Sequence, residues 1–216
     1  MKQLIIVGAG GFGRELLQWC KDILIIRNEW EIAGFIDDNL SALEGYECDY
    51  NVIGTINDCQ PNENQVFALA IAEPKLKKEI VSKLENRGAK FVQIIHPDAR
   101  IGSFNELGKG LVMYPNARIT VNTKIGDYVT ILDNTSIGHD VVIGNYTTIS
   151  ASCGINGHVY VGESSYFGCN ASTIPGIKIG DACHIGIGSV VVNSIKSGMQ
   201  VFGNPAKRIA LPKLEN

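Results

Sequence analysis

The sequence predicts two units: an α/β Rossmann-like small domain over residues 1–95, and a parallel β-helix with a C-terminal tail over residues 96–216. Three observations predict them. Apolar residues recur every sixth position from Ile101 to Val191. A glycine-rich turn, Gly8-Ala9-Gly10-Gly11-Phe12-Gly13, separates a short apolar run from a helical stretch. Strand and helix patterns then alternate up to Ile95.

Taken every sixth residue from Ile101, sixteen positions carry fifteen apolar side chains, Thr173 being the exception. A period of six matches neither the 3.6 of a helix nor the two of a strand. It matches hexapeptide repeats, each a short strand and a turn. Small residues stand two positions ahead of the apolar ones, as at Ala117, Thr123, Thr135, Thr147, Cys153, Ala171, Cys183 and Ser189. Gly or Asn eases the corners. Three hexapeptides close one triangular coil of about eighteen residues, so the stretch holds about five coils. No coil buries its inner face alone, and stacking supplies the core.

In the small domain, Leu4 to Val7 is a strand and Arg14 to about Ile26 a helix. Glu31 to Ile36 is a second strand, ending in Asp37-Asp38. Gly8, Gly10 and Gly13 let backbone approach a ligand, and the helix start offers free N–H groups to phosphate. An acid after the second strand meets a ribose hydroxyl in such folds. A dinucleotide, a nucleotide sugar or a turn that only packs helix on strand would each fit this motif. Tyr50–Thr55, Val66–Ala72 and Phe91–Ile95 read as further strands. Pro74–Arg87 reads as a helix, with Pro at its start and Gly88 past its end. Roughly ninety residues are too few for a two-halved dinucleotide fold. No further domain for hydride chemistry follows, which argues against a dehydrogenase.

A net charge of −3 gives no basic footprint for nucleic acid. The six cysteines form no C-x-x-C pair and no metal-ligand spacing, so no metal is expected. Cys153 and Cys183 fall on small inward positions as core filler. Free thiols point to a reducing, cytoplasmic compartment. No apolar run reaches transmembrane length.

Among the four histidines, His139 lies two residues past inward Ile137, in Ile137-Gly138-His139-Asp140. That places it at a corner, facing outward. An outward His beside a carboxylate takes a proton at neutral pH, although a solvated surface histidine has the same spacing. Asp140 reaches it only across a corner; Asp133 and Asn134 are rival partners. His96 reads as a linker residue, His158 as a turn residue and His184 as a surface one. No Ser-His or Cys-His pairing supports an acyl-enzyme.

With these residues in place, the chain resembles the left-handed β-helix acyltransferases. The order of the Gly-rich small domain, Ile137-Gly138-His139-Asp140-Val141-Val142-Ile143-Gly144 and Gly203-Asn204-Pro205-Ala206-Lys207 is similar to the sialic acid O-acetyltransferase branch. That branch includes N-acetyltransferases for nucleotide-linked amino sugars. The resemblance implies a left-handed coil, a homotrimer with sites between solenoids, and acetyl-CoA as cosubstrate. It implies that His139 is the base and Asp140 its acidic neighbour. Gly157, Cys169 and Ile187 would line the coenzyme groove, with Lys207 near its phosphates. Gly10, Gly11, Asp37 and Asp38 would hold the nucleotide sugar.

The function implied is direct N-acetylation of a nucleotide-linked amino sugar in surface glycan biosynthesis. The alternatives are O-acetylation of a sialic-acid-like sugar, or a non-catalytic solenoid that binds nucleotide sugars. Two positions depart from the family pattern. Several members carry a second His nine residues after the base, where this chain has Thr148. An Asn seven residues before the base is Leu132 here, and Asn134 is the candidate to replace it.

Overall fold

The computed structural model describes residues 1–209; residues 210–216 of the expected tail lie outside them. The small domain runs β1 (Lys2–Val7), α1 (Gly11–Ile26), β2 (Trp30–Ile36), β3 (Val52–Gly54), β4 (Gln65–Leu69) and α2 (Pro74–Glu85). Its four strands are parallel, in the order β3-β2-β1-β4. Buried on both faces, β1 is apolar without alternation. Leu4 and Ile6 face Leu16, Cys20 and Ile23 of α1. Ile5 and Val7 face Ile80, Val81 and Leu84 of α2.

Both helices begin as their first residues dictate. Gly10 caps α1 without a side chain. Glu73 caps α2, its carboxylate accepting from the Lys75 and Leu76 N–H groups, and Pro74 stands where no N–H is needed.

The expected strand at Phe91–Ile95 is not part of this sheet as a whole. Phe91 makes a single bridge to Phe67, whereas Ile94–Ile95 pair with Val112–Met113. The chain has already joined the solenoid there, because Ile94 and Ile95 stack on the next coil.

The solenoid is a left-handed β-helix of strands two residues long, Gln200–Phe202 excepted, in three sheets. Lys124 pairs with Val142, and Val142 with Tyr160, an advance of eighteen residues per coil. The sheets hold five, six and eight strands. The eight-stranded one starts at Ile94–Ile95 and ends with Lys207–Arg208, added antiparallel to Gln200–Phe202. Inward residues from Met113 to Val191 form one continuous core.

The small polar residues of the repeat are buried and satisfied. Thr123, Thr135, Thr147 and Ser165 donate to the carbonyls of Gly138, Ser150, Gly162 and Gly180, across 2.7–3.1 Å. Corners sit three residues after each inward position. Asn116, Asn122, Asn134, Asp140, His158 and Asn170 adopt φ between 54° and 60° there. This left-handed region costs least for Gly and for Asn, Asp and His.

The two units dock through α1 and α2. His96, expected as a linker, is buried: Nε2 lies 3.3 Å from Asp22 Oδ2, and the ring stands edge-on to Trp19. On the other side, α2 packs on the eight-stranded sheet through Lys77, which is fully buried.

Candidate active site

His139 and Asp140 occupy one corner of the triangular coil, and the left-handed φ of 57° at Asp140 explains why they meet. On a flat strand neighbouring side chains point to opposite faces. The corner turns them together, so His139 Nδ1 lies 2.7 Å from Asp140 Oδ2. The contact fixes the tautomer: Nδ1–H donates to the carboxylate and Nε2 keeps its lone pair. Both side chains are open to solvent, the imidazole at 55%.

The next coil passes directly over this corner. Gly157 stands eighteen residues beyond His139, and a Cβ there would lie 2.6 Å from His139 Cε1 and Nε2. Only hydrogen fits at Gly157 while the ring keeps its place. His158 then stacks on Asp140, with its N–H on the His139 carbonyl at 3.0 Å. Its ring stands edge-to-face with His139 at 4.9 Å between centroids, and its Nε2 is 3.8 Å from Asp140 Oδ2. Expected as a turn residue, His158 is one, but it also faces the His139–Asp140 pair. The sequence signal was its separation from Asp140 by one coil.

The corner does not include Asn134. That residue lies at the other end of the Ser136–Ile137 strand, and its Nδ2 donates to Asp133 Oδ2 at 3.0 Å. Five residues of extended chain, about 16 Å at some 3.3 Å per residue, separate Asn134 from His139. Asp140, not Asp133 or Asn134, is therefore His139's partner within the chain. Cys169 and Ile187 belong to Asn134's corner, each one residue before the left-handed corner positions Asn170 and Gly188 that stack in line with Asn134. Lys207 lies on the exposed terminal strand.

Cys169 and Ile187 border a cleft of about 1010 Å³ between the small domain and the solenoid. Pro74 and Lys78 of α2 form one wall, Tyr166 and His184 the other. His184, expected at the surface, is half-buried and stacked on Tyr166 at 5.0 Å, and burial lowers its pKa. Thr148 lies under α2, fully buried, where it accepts from Lys77 and donates to the Ala72 carbonyl. It has no exposed face to offer a thioester.

The glycine turn gathers the other expected residues at the carboxyl ends of β1 and β2, where ligands bind in parallel sheets. Nothing lies within 4 Å of a Cβ placed on Gly10, and only Arg14 Nη2, at 3.9 Å, near one on Gly11. The start of α1 is thus open, without a side-chain cap or an acid in its first turn. Asp37 closes the turn itself: Oδ2 accepts from the Ala9 N–H and Oδ1 from that of Asn39, both at 2.8 Å. Asp38 accepts from the Asn57 N–H at 2.9 Å.

Known proteins resemble this chain over both units. Residues 3–84 match the PglD N-terminal domain, and residues 122–157 the bacterial transferase hexapeptide of six repeats. UDP-N-acetylbacillosamine N-acetyltransferase of Bacillus subtilis strain 168 is 28% identical over 117 residues, or 52% of this chain and 51% of the relative. The chain thus spans about half the length of this curated relative.

The acetyltransferase domain of PglB from Neisseria gonorrhoeae FA1090 is 25% identical, with a TM-score of 0.88, over 97% of this chain and 100% of that one. It is also known in complex with acetyl coenzyme A, where the likeness is 26% identity and a TM-score of 0.86, over 96% of this chain and 99% of that one. PerB from Caulobacter crescentus, solved with CoA and GDP-perosamine, is alike in fold, at 24% identity and a TM-score of 0.85 over 97% of this chain and 98% of that one. A stretch that matches the PglD N-terminal domain is thus followed by a left-handed β-helix that matches transferase hexapeptide repeats, and in this order of units the chain is similar to the PglB acetyltransferase domain.

Proposed function

We propose that the protein is an acetyl-CoA-dependent N-acetyltransferase for a nucleotide-linked amino sugar, with His139 as general base. The observation that carries this reading is the His139–Asp140 contact of 2.7 Å on an open solenoid corner. Asp140 holds the Nδ1 proton, so Nε2, beside Gly157, keeps the free lone pair and is the base. The acceptor amine attacks the thioester carbonyl, and Nε2 takes its proton as the C–N bond forms. The Gly157 backbone N–H, beside the ring, is the donor we assign to the tetrahedral oxyanion. As the C–S bond breaks, the thiolate leaves and recovers the proton from His139. Asp140 stabilises the imidazolium between these steps. A base so placed contributes about 10²–10⁴-fold.

The division of labour follows the two units. Residues 1–95 hold the nucleotide at the open start of α1, with Gly10, Gly11, Asp37 and Asp38. Residues 96–216 carry acetyl transfer. Asn134, Cys169 and Ile187 lie a full face of the triangle from His139. A homotrimer in which this corner and cleft meet the His139 corner of the neighbouring copy would unite them, with coenzyme A between and Lys207 near its phosphates. The names of the relatives, a bacillosamine acetyltransferase and an acetyl-CoA-binding PglB domain, support the substrate class. The six cysteines are free thiols, as suits a cytoplasmic enzyme of surface glycan synthesis. Among the described residues no helix is long and apolar enough to cross a membrane.

Thiol release from acetyl-CoA across UDP-, GDP- and dTDP-linked 4-amino sugars tests the reading, with free sialic acid in parallel. Turnover of one nucleotide amino sugar, lost in His139→Ala with ligand binding intact, is the expected result. Activity confined to sialic acid would make the enzyme an O-acetyltransferase. Full activity in His139→Ala, or no coenzyme binding at all, would overturn the assignment.

A further inference from the structure

We propose that the corner bearing His139, Asp140 and His158 binds a divalent cation of the zinc class, and that the bound ion disables the base. The second part rests on His139 being that base; the first part does not.

The donor set is two imidazoles and one carboxylate, with one ligand atom from each lying within 4.8 Å of the others. Imidazole is the commonest metal ligand, and two His with one carboxylate suit zinc with a fourth position left open. Magnesium and calcium prefer oxygen ligands alone. In a tetrahedral site with bonds near 2.05 Å, neighbouring ligand atoms stand about 3.3 Å apart. Asp140 Oδ2 lies 2.7 Å from His139 Nδ1 and 3.8 Å from His158 Nε2, on either side of that value. Sub-ångström shifts of three exposed side chains would open one distance and close the other.

The backbone beneath them is held in place. Asp140 and His158 take the same left-handed corner conformation in successive coils. Their main chains are tied below and above: the Asp140 N–H to the Val121 carbonyl, the His158 N–H to that of His139, and the Gly176 N–H to that of Gly157. No cation from the adjoining corner residues Val121, Asn122, Pro175 or Gly176 competes for the carboxylate. The three ligands come from positions 139, 140 and 158, a spacing that no short metal motif has, which is why the sequence suggested no metal.

The chemical consequence follows from the nitrogen used. An ion at Nδ1 occupies the lone pair that faces Asp140, and the neutral ring then carries its proton on Nε2. The nitrogen assigned to accept the amine proton is thereby filled, and the carboxylate is engaged by the metal.

Zinc chloride titrated into the ligand-free protein by calorimetry, in a non-chelating buffer, tests the site without turnover. The expected result is one saturable site per chain in the micromolar range, absent with magnesium. His158→Asn should weaken binding by about tenfold or more, and Asn suits the left-handed backbone there, so the fold is kept. Long-range ¹H–¹⁵N spectra should show the His139 Nδ1 resonance move as zinc is added. No saturable binding, or binding unchanged in His158→Asn, would overturn the site. Zinc should also abolish acetyl transfer, reversibly with EDTA, and the inhibitory concentration should rise at least in proportion in His158→Asn. Full turnover with zinc bound would overturn the second part alone. A protein that binds zinc but turns over no acceptor would keep the site and count against the proposed reaction.

Discussion

Lys77 Nζ donates to Thr148 Oγ1 across 2.7 Å, pinning α2 of the small domain to the outer face of the solenoid 71 residues away. Two further acceptors complete the set, Thr130 Oγ1 at 2.9 Å and the Tyr128 carbonyl at 3.1 Å. An ammonium has three donors and finds three acceptors here. Burial pushes the Lys77 pKa down from 10.5 to about 7, against a smaller opposing pull from Glu73. The neutral amine also fits: it donates to Tyr128 and Thr148 and accepts from the Thr130 hydroxyl.

The sign of the pH effect follows. Between about pH 7 and 10.5 the unfolded chain keeps a proton on Lys77 that the folded chain has released. Unfolding therefore takes up a proton, and the Lys77 contribution to stability rises with pH across that window. Below it, the cost of burying the cation is present in full. At the upper end of the window, where that cost is gone, Lys77→Met leaves Tyr128 and Thr130 without a buried donor and should destabilise by about 1–3 kcal/mol. Urea unfolding of both proteins across the window checks this. The difference between them should grow with pH in favour of the native lysine, and a constant difference would refute the linkage.

Asp140→Asn tests the tautomer assignment. The amide oxygen can still accept from His139 Nδ1–H, so the ring orientation survives. The charge that stabilises the imidazolium does not. A hydrogen bond to a charged group is worth about 1.5–3 kcal/mol, so kcat should fall about 10- to 100-fold with KM nearly unchanged. Steady-state kinetics on the acceptor identified in the thiol-release assay reads this directly.

Gly157→Ala separates fold from chemistry at the same corner. Its backbone does not need a left-handed φ, so alanine adds no main-chain strain. The added Cβ would stand 2.6 Å from Cε1 and Nε2 of His139, and the exposed ring swings away. A displacement of about 1 Å in a reacting group can cost 10²-fold, so turnover should drop by roughly that factor. The melting temperature should hardly move. A parallel loss of both would mean that Gly157 serves packing and not the placement of His139.

The residues that were legible in the sequence are those whose environment repeats. Ile119, Ile137, Ile155 and Thr173 lie on one inward column because eighteen residues return the chain to the same face. The His139–Asp140 contact could be anticipated as a corner contact, since both follow Ile137 by two and three positions. Three features had no local signal. Lys77 reads as an ordinary solvated lysine on an amphipathic helix, and only docking against Thr130 and Thr148 buries it. His158 looks like any other turn residue until stacking places it over Asp140. Asn134 lies close to His139 in sequence, yet a whole strand intervenes. A repeat period specifies the stacking of backbones; it leaves open which outward side chains meet, or which face another domain covers.

Gly10 and Gly13 lie three residues apart in one turn and should respond oppositely to alanine. At Gly13 a Cβ would collide with the Gly8 carbonyl oxygen, where α1 packs close on the turn. Neither group is the free end of a flexible side chain, so the backbone must shift. Gly13→Ala should destabilise the small domain by about 1–3 kcal/mol, as overpacking does, read as a lower urea midpoint. At Gly10 φ is −69° and nothing lies within 4 Å of the new Cβ. Gly10→Ala should therefore fold normally. The methyl group instead fills the space through which a phosphate would reach the N–H groups of α1. The KM for the nucleotide-linked acceptor should rise several-fold, with KM for acetyl-CoA unchanged. A Gly10→Ala enzyme with unaltered acceptor KM would remove the start of α1 from the nucleotide site and leave that domain's ligand to be sought elsewhere.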